Sequence, residues 1–149
     1  MRLLAAVLAA ITLTTGFALP PTVDWDHVFR VADHITEIVE EQPGPVLTDA
    51  EIALRRCESG GDYTVVNPTG TYRGAWQFGQ TSWDAAMAEA GRVWWIGADP
   101  ITAPKWVQDI AMRSLAEIQT FSNGWPQCGP RVGLYGRPTD QGLNPWHHQ

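Results

Sequence analysis

Thr48-Asp49-Ala50-Glu51-Ile52-Ala53-Leu54-Arg55-Arg56-Cys57-Glu58-Ser59-Gly60-Gly61 is the stretch from which the fold is read. Thr48 and Glu51 make a T-x-x-E capping box, in which each side chain satisfies the other residue's free backbone N–H, so a helix starts here. Ala50, Ala53, Leu54 and Cys57 recur at three- and four-residue spacing and give that helix one apolar face. Ser59-Gly60-Gly61 ends it. Glu58 therefore stands in the last turn, beside a cysteine.

That place has chemical consequences. A carboxylate at the C-terminal end of a helix faces the negative end of the macrodipole, which disfavours its ionised form. Burial in a cleft lined with aromatic rings pushes the same way. A carboxyl kept protonated near neutral pH can deliver a proton to a leaving oxygen, as cleavage of a glycosidic bond requires. Position alone still favours the plainer role, an exposed glutamate on a helix end.

Downstream of the helix the pattern changes. Tyr63-Thr64-Val65-Val66 is strand-like, Asn67-Pro68-Thr69-Gly70 is a turn and Thr71-Tyr72-Arg73 follows, which together predict a small β-hairpin. A further helix runs from Thr81 or Ser82 to about Ala90, stopped by Gly91. The longest opens near Thr102-Ala103-Pro104 and carries Val107, Ile110, Ala111, Ser114, Leu115 and Ile118 in one stripe, ending before Asn123-Gly124. Trp125-Pro126-Gln127-Cys128 closes the domain. Residues 132–149 form a Gly/Pro-rich tail, expected to be flexible with little to bury. His147-His148 at its end, with no acid or cysteine nearby, is read as solvated rather than metal-binding.

Upstream, Met1-Arg2, the apolar run Leu3 to Leu13 and Gly16-Phe17-Ala18 make a signal peptide over residues 1–18, with the mature chain starting near Leu19. The alternative is a membrane anchor, but the run is shorter than the roughly 20 apolar residues that span a bilayer. No stable membrane span is expected after cleavage. Residues 19–46 hold an acidic amphipathic helix from about Asp24 to Glu41, on which Trp25, Phe29, Ala32, Ile35 and Val39 share a face. Gln42-Pro43-Gly44-Pro45 stops it. Packing on the following domain is the plainer role of this helix; docking to another protein, such as a second wall hydrolase, is the sharper one.

Export decides how Cys57 and Cys128 are read. Outside the cytoplasm an even pair points to a disulfide rather than a metal or redox site. It would close a loop of about 70 residues and contribute on the order of 4 kcal/mol. A catalytic cysteine is the alternative, and no local motif supports it. The net charge of −6 is concentrated in residues 19–46, where Asp24, Asp26, Asp33, Glu37, Glu40 and Glu41 face Arg30 alone. With no basic stripe, nucleic acid is not an expected partner. Nothing in the chain resembles a nucleotide loop or a metal cluster, so no cofactor is expected.

Cys57-Glu58-Ser59-Gly60-Gly61-Asp62-Tyr63, then Gly74-Ala75-Trp76-Gln77-Phe78, then Trp125-Pro126-Gln127-Cys128 resembles the resuscitation-promoting-factor domain, which is also similar to soluble lytic transglycosylases. The resemblance covers roughly residues 47 to 130. It implies a small lysozyme-like domain over residues 47–131: α+β, mainly α-helical, with the short hairpin after the catalytic helix and one disulfide. It implies a secreted, monomeric enzyme that cuts peptidoglycan between N-acetylmuramic acid and N-acetylglucosamine, by glycosidase or lytic transglycosylase chemistry, in cell-wall remodelling or resuscitation. Glu58 matches the catalytic acid. Ser59 matches the hydroxyl that follows it, and Gln77 the glutamine of the G-x-x-Q element in the sugar groove. Cys57 and Cys128 match the family's disulfide pair.

There are departures. Asp62 stands where the family usually has asparagine, and Ser82 where it usually has threonine before the tryptophan. Ser82 keeps a hydroxyl for a groove contact. Asp62, four residues beyond Glu58, could be a second carboxylate of the kind retaining glycosidases place about 5 Å from the first; a lytic transglycosylase needs none. Tyr72 and Trp76 are candidate groove rings. Eight tryptophans in the chain suit either a core or a groove, and the insert Arg92-Val93-Trp94-Trp95-Ile96-Gly97 suits either core or an extended sugar surface. Two other readings stay open: a non-catalytic peptidoglycan-binding or signalling module on the same fold, and an actinophage wall-degrading protein rather than one of a Gram-positive actinobacterium.

Overall fold

Thr48 and Glu51 close their capping box as their spacing predicts: the Glu51 N–H donates to Thr48 Oγ1 at 3.3 Å and the Thr48 N–H to Glu51 Oε2 at 2.7 Å. Helix α1 runs from Asp49 to Ser59 and ends at Gly60, whose left-handed backbone lets its N–H reach the Arg56 carbonyl. The computed structural model describes residues 44–143 together with residues 24, 26–28 and 30. The chain divides into two units, Met1–Gln42 and Pro43–Gln149. In the first, residues 26–28 and 30 are helical and the Asp24 carboxylate accepts the His27 N–H at 3.0 Å. The signal peptide, most of the acidic helix and His147-His148 lie outside the described residues.

The second unit is mainly helical. After α1 come α2 (Gln80–Glu89), α3 (Lys105–Gln119) and the short α4 (Phe121–Gly124), with single 3₁₀ turns at Val93–Trp95, Pro100–Thr102, Pro130–Val132 and Thr139–Gln141. Helix α3 is buried on every side from Trp106 to Ala116, the mark of a central helix. Among the described residues no helix is long and apolar enough to cross a membrane. Glu51 joins α1 to α3 through a fully buried ion pair with Arg113, at 2.8 Å.

The predicted hairpin is reduced to isolated bridges, Val66 with Arg73 and Arg73 with Phe78. Its physical reason is the density of tight turns. The Tyr72 N–H bonds to the Asn67 side chain, Gly70, Gly74 and Gln77 all have left-handed backbones, and Arg73 alone separates the two turns. Each ladder stops after one residue pair.

Residues 132–143 are bonded to α3 and α4. Leu134 is buried, the Phe121 N–H donates to the Gly136 carbonyl, and Glu117 accepts both the N–H and the hydroxyl of Thr139. Buried Leu134 and the Glu117 carboxylate near the end of α3 tie this Gly/Pro-rich segment to the helices.

Among the described residues tryptophan is mostly core. Trp76, Trp83 and Trp125 join Phe78 and Phe121 in a chain of edge-on and tilted ring contacts, with centroids 5.5 to 6.4 Å apart. The insert is split: Trp95 is half-buried under the Trp83 indole, which donates to its carbonyl, whereas Val93 and Trp94 face solvent.

Candidate active site

Three chain segments meet at a cleft of about 280 Å³. The last turn of α1 supplies Glu58, the turn region supplies Tyr72 and Gln77, and residues 124–128 supply the remaining wall, Trp125 among them. The Cys57–Cys128 disulfide ties the first of these to the third, with Cα atoms 5.9 Å apart.

Glu58 is half-buried, and burial pushes its carboxyl above the ordinary carboxylate range. No hydrogen bond or ion pair to it is present among the described residues, so nothing offsets that push. The group is a protonatable acid at the edge of a cleft.

Gln77 is held with unusual firmness. Its backbone is left-handed, at φ 52°, a conformation that side chains other than glycine rarely adopt. Both its N–H and its side-chain Nε2 donate to the Gly74 carbonyl, at 3.2 and 3.0 Å. That bond spends one N–H of the amide and leaves Oε1 and the second N–H available to a ligand. Strain of this kind persists only where the surroundings over-determine it, and it gathers at functional sites. Tyr72 is half-exposed, and its ring lies against Gly79.

Other candidates fall elsewhere. Trp76 has no accessible surface, and its indole N–H donates to Asp109 at 3.0 Å, so its ring offers no face to a sugar. Ser59 donates to the Arg55 carbonyl and accepts the Gly61 N–H, which spends the hydroxyl on closing α1. Ser82 sits in the first turn of α2, which begins at Gln80, and lies outside the cleft lining. Asp62 is fully exposed and also outside the lining. Its carboxylate takes the Thr64 N–H and hydroxyl, both at 2.8 Å, and these bonds hold it below the usual range. It is an ionised turn-former, unlike Glu58.

In the sequence, Trp125-Pro126-Gln127-Cys128 marks the close of the domain, the disulfide and part of the family resemblance, with no place given to it in the groove. Adjacency to Cys128 is the signal that could have placed these residues beside Glu58. Among the described residues no cluster of histidine, cysteine and acid side chains could hold a metal ion.

No family model matches the chain. A stretch of 61 residues is 41% identical to a protein of Staphylococcus haemolyticus described as the probable transglycosylase SceD. The match takes in 41% of this chain and 23% of that protein, so this chain spans about a quarter of its relative's length. A transglycosylase-like relationship is thus supported over part of the chain, alongside a mainly helical, disulfide-closed fold compatible with a small lysozyme-like domain.

Proposed function

We propose that this chain is a secreted, wall-acting enzyme that cleaves the glycan strand of peptidoglycan between N-acetylmuramic acid and N-acetylglucosamine, with Glu58 as the general acid. The observation that carries this reading is the state of Glu58: a half-buried carboxyl, raised by burial and without a hydrogen-bonded partner, in one cleft with Gln77 and Tyr72. The partial likeness to a probable transglycosylase supports the same chemistry.

Protonated Glu58 gives its proton to the bridging oxygen as the bond from that oxygen to the muramyl C1 breaks. The sugar left behind is short of electrons at C1 and needs a nucleophile. Among the described residues Glu58 is the only carboxylate in the cleft lining, and Asp62 is spent on its own turn. A pair of carboxylates, the usual requirement of hydrolysis, is therefore not assembled in this cleft. The reading we favour is attack by the sugar's own C6 hydroxyl. Glu58, now ionised, takes the hydroxyl proton as O6 bonds to C1, which closes a 1,6-anhydro ring and returns the acid to its starting state. No water is consumed. Gln77 Oε1 accepts from a sugar hydroxyl or N-acetyl N–H, and the Tyr72 ring packs on a sugar face.

Mass spectrometry of soluble fragments released from purified peptidoglycan tests this. Anhydro-muramyl ends, one water lighter than hydrolysed ends, are expected. Hydrolysed ends alone would replace the C6 hydroxyl with water, and no release at all would leave only a glycan-binding role.

A further inference from the structure

The turn that carries Gln77 is held from beneath by two neighbouring residues of α3. Gln108 is fully buried; its Oε1 accepts the Ala75 N–H at 3.0 Å, and its Nε2 donates to the Tyr63 and Ala103 carbonyls. Asp109 accepts the Trp76 indole N–H at 3.0 Å and the Tyr63 hydroxyl at 2.8 Å. The Tyr63 oxygen in turn accepts from Arg55. The Trp76 carbonyl accepts the Trp125 indole N–H at 2.8 Å, and Trp125 lines the cleft. A continuous run of hydrogen bonds thus joins Arg55, Tyr63, Asp109, Trp76 and Trp125, and passes one residue before Gln77.

A buried carboxylate is a costly way to brace a core, and both Asp109 oxygens are turned to donors, which an amide, with an NH2 in place of one oxygen, matches only in part. We propose that Asp109 is a positioning residue for the cleft: through the Trp76 indole it holds the left-handed Gln77 turn, and with it the Gln77 amide and Trp125, in the arrangement that receives the glycan. This rests on the glycan-cleaving reading of Glu58.

The charges around Asp109 make the hold sensitive to protons. Arg55 and Glu51 face it from α1, with Tyr63 and Trp76 from the segment that follows. Lys105 and Arg55 both lie over the Tyr63 ring, at 5.6 and 5.1 Å from its centroid, and Arg113 is paired with Glu51. Burial lifts the Asp109 carboxyl to about 6; the Tyr63 and Trp76 hydrogen bonds and the Arg55 charge oppose that rise, and Glu51 adds to it. Burial raises the Tyr63 phenol as well, so it stays a donor over this range. Ionised Asp109 is an acceptor only and matches its two donors. Protonation turns one oxygen into a donor facing the Tyr63 hydroxyl, and the run of bonds must rearrange.

Asp109→Asn, in the full chain, mimics the protonated acid at every pH. In the wild type, the Trp76 indole and Gln77 amide resonances of ¹⁵N-labelled protein should shift with a midpoint near 6, and in the variant they should stay flat. The ratio of wild-type to variant release should fall as pH drops through the same midpoint, because the Glu58 titration is common to both. At about pH 7 the variant should be slower by roughly tenfold or more, and the gap should close towards pH 5. Stability should move the other way. A carboxyl whose folded pKa is raised contributes stability below its unfolded value, and that is lost as pH rises through about 6. The variant escapes the loss, so its melting temperature relative to wild type should be higher at about pH 7 than at about pH 4. A residue that only braces the core would lower activity and melting temperature together, by the same factor at every pH, and that result overturns the proposal. So does a wild-type Gln77 amide that ignores pH. If the wild type releases no fragments at any pH, it is the glycan reading that fails, and the Gln77 titration still decides whether Asp109 governs the turn.

Discussion

Gly74 and Gln108 approach so closely that a Cβ built on Gly74 would stand 2.4 Å from Gln108 Oε1. That oxygen is the acceptor for the Ala75 N–H, and Gly74 itself has a left-handed backbone, at φ 78°. The first glycine of the G-x-x-Q element is therefore required twice, for its conformation and for the space above it.

Gly74→Ala should be strongly destabilising. The left-handed backbone contributes about 1–2 kcal/mol, and displacing Gln108 leaves a buried N–H without its acceptor, at about 1–3 kcal/mol more. Gly70→Ala is the control, because Gly70 has a similar φ of 74° and nothing within 4 Å of an added Cβ. Urea unfolding should show a clearly larger loss for Gly74→Ala; equal losses would mean that Gln108 moves aside freely.

The Cys57–Cys128 bridge joins the turn that carries Glu58 to the segment that faces it across the cleft. Replacing both cysteines by serine should reduce stability by roughly 4 kcal/mol, on chain-entropy grounds. Intact mass of the non-reduced chain should be lower than that of the dithiol by a pair of hydrogens. Free thiols titrated under denaturing conditions would contradict the bridge.

Asp62→Asn should be nearly silent. The carboxylate is fully exposed, and what it does is accept from the Thr64 N–H and hydroxyl, which an asparagine oxygen can do too. Turnover on soluble glycan fragments should stay close to wild type. Abolished turnover in a folded variant would make Asp62 the second carboxylate after all.

Local signals explain which parts could be read from sequence. Helix α1 announces itself because its cap, its apolar spacing and its stopping glycine lie within fourteen consecutive positions, Thr48 to Gly61. The hairpin misleads because its alternation is real, but the Asn67 side chain takes the Tyr72 N–H that a longer ladder would need. Trp76 and Gln77 are adjacent, yet one is core and the other cleft. The difference rests on an indole partner, Asp109, far along the chain. Gln108-Asp109, with Ala111, resembles the family's later helix, but that likeness gives neither residue a role, since a buried polar residue shows its purpose only through the groups it meets.

Glu58→Gln is the most direct test of the account. The amide keeps the shape of the acid and cannot give a proton to the leaving oxygen, where general-acid help typically contributes 10² to 10⁴-fold. In the wild type, rate should fall as pH rises through the Glu58 pKa, because burial raises that value and the protonated form is the active one. Stability carries the same sign: the protonated acid's contribution is lost as pH rises through the raised pKa, so the variant should melt no lower than wild type above it. Mass spectrometry of muropeptides released by Glu58→Gln, with folding verified by circular dichroism, should show release almost abolished while binding to insoluble wall persists. Release at the wild-type rate from a folded Glu58→Gln protein would contradict the assignment of Glu58 as the acid, and with it the proposed reaction.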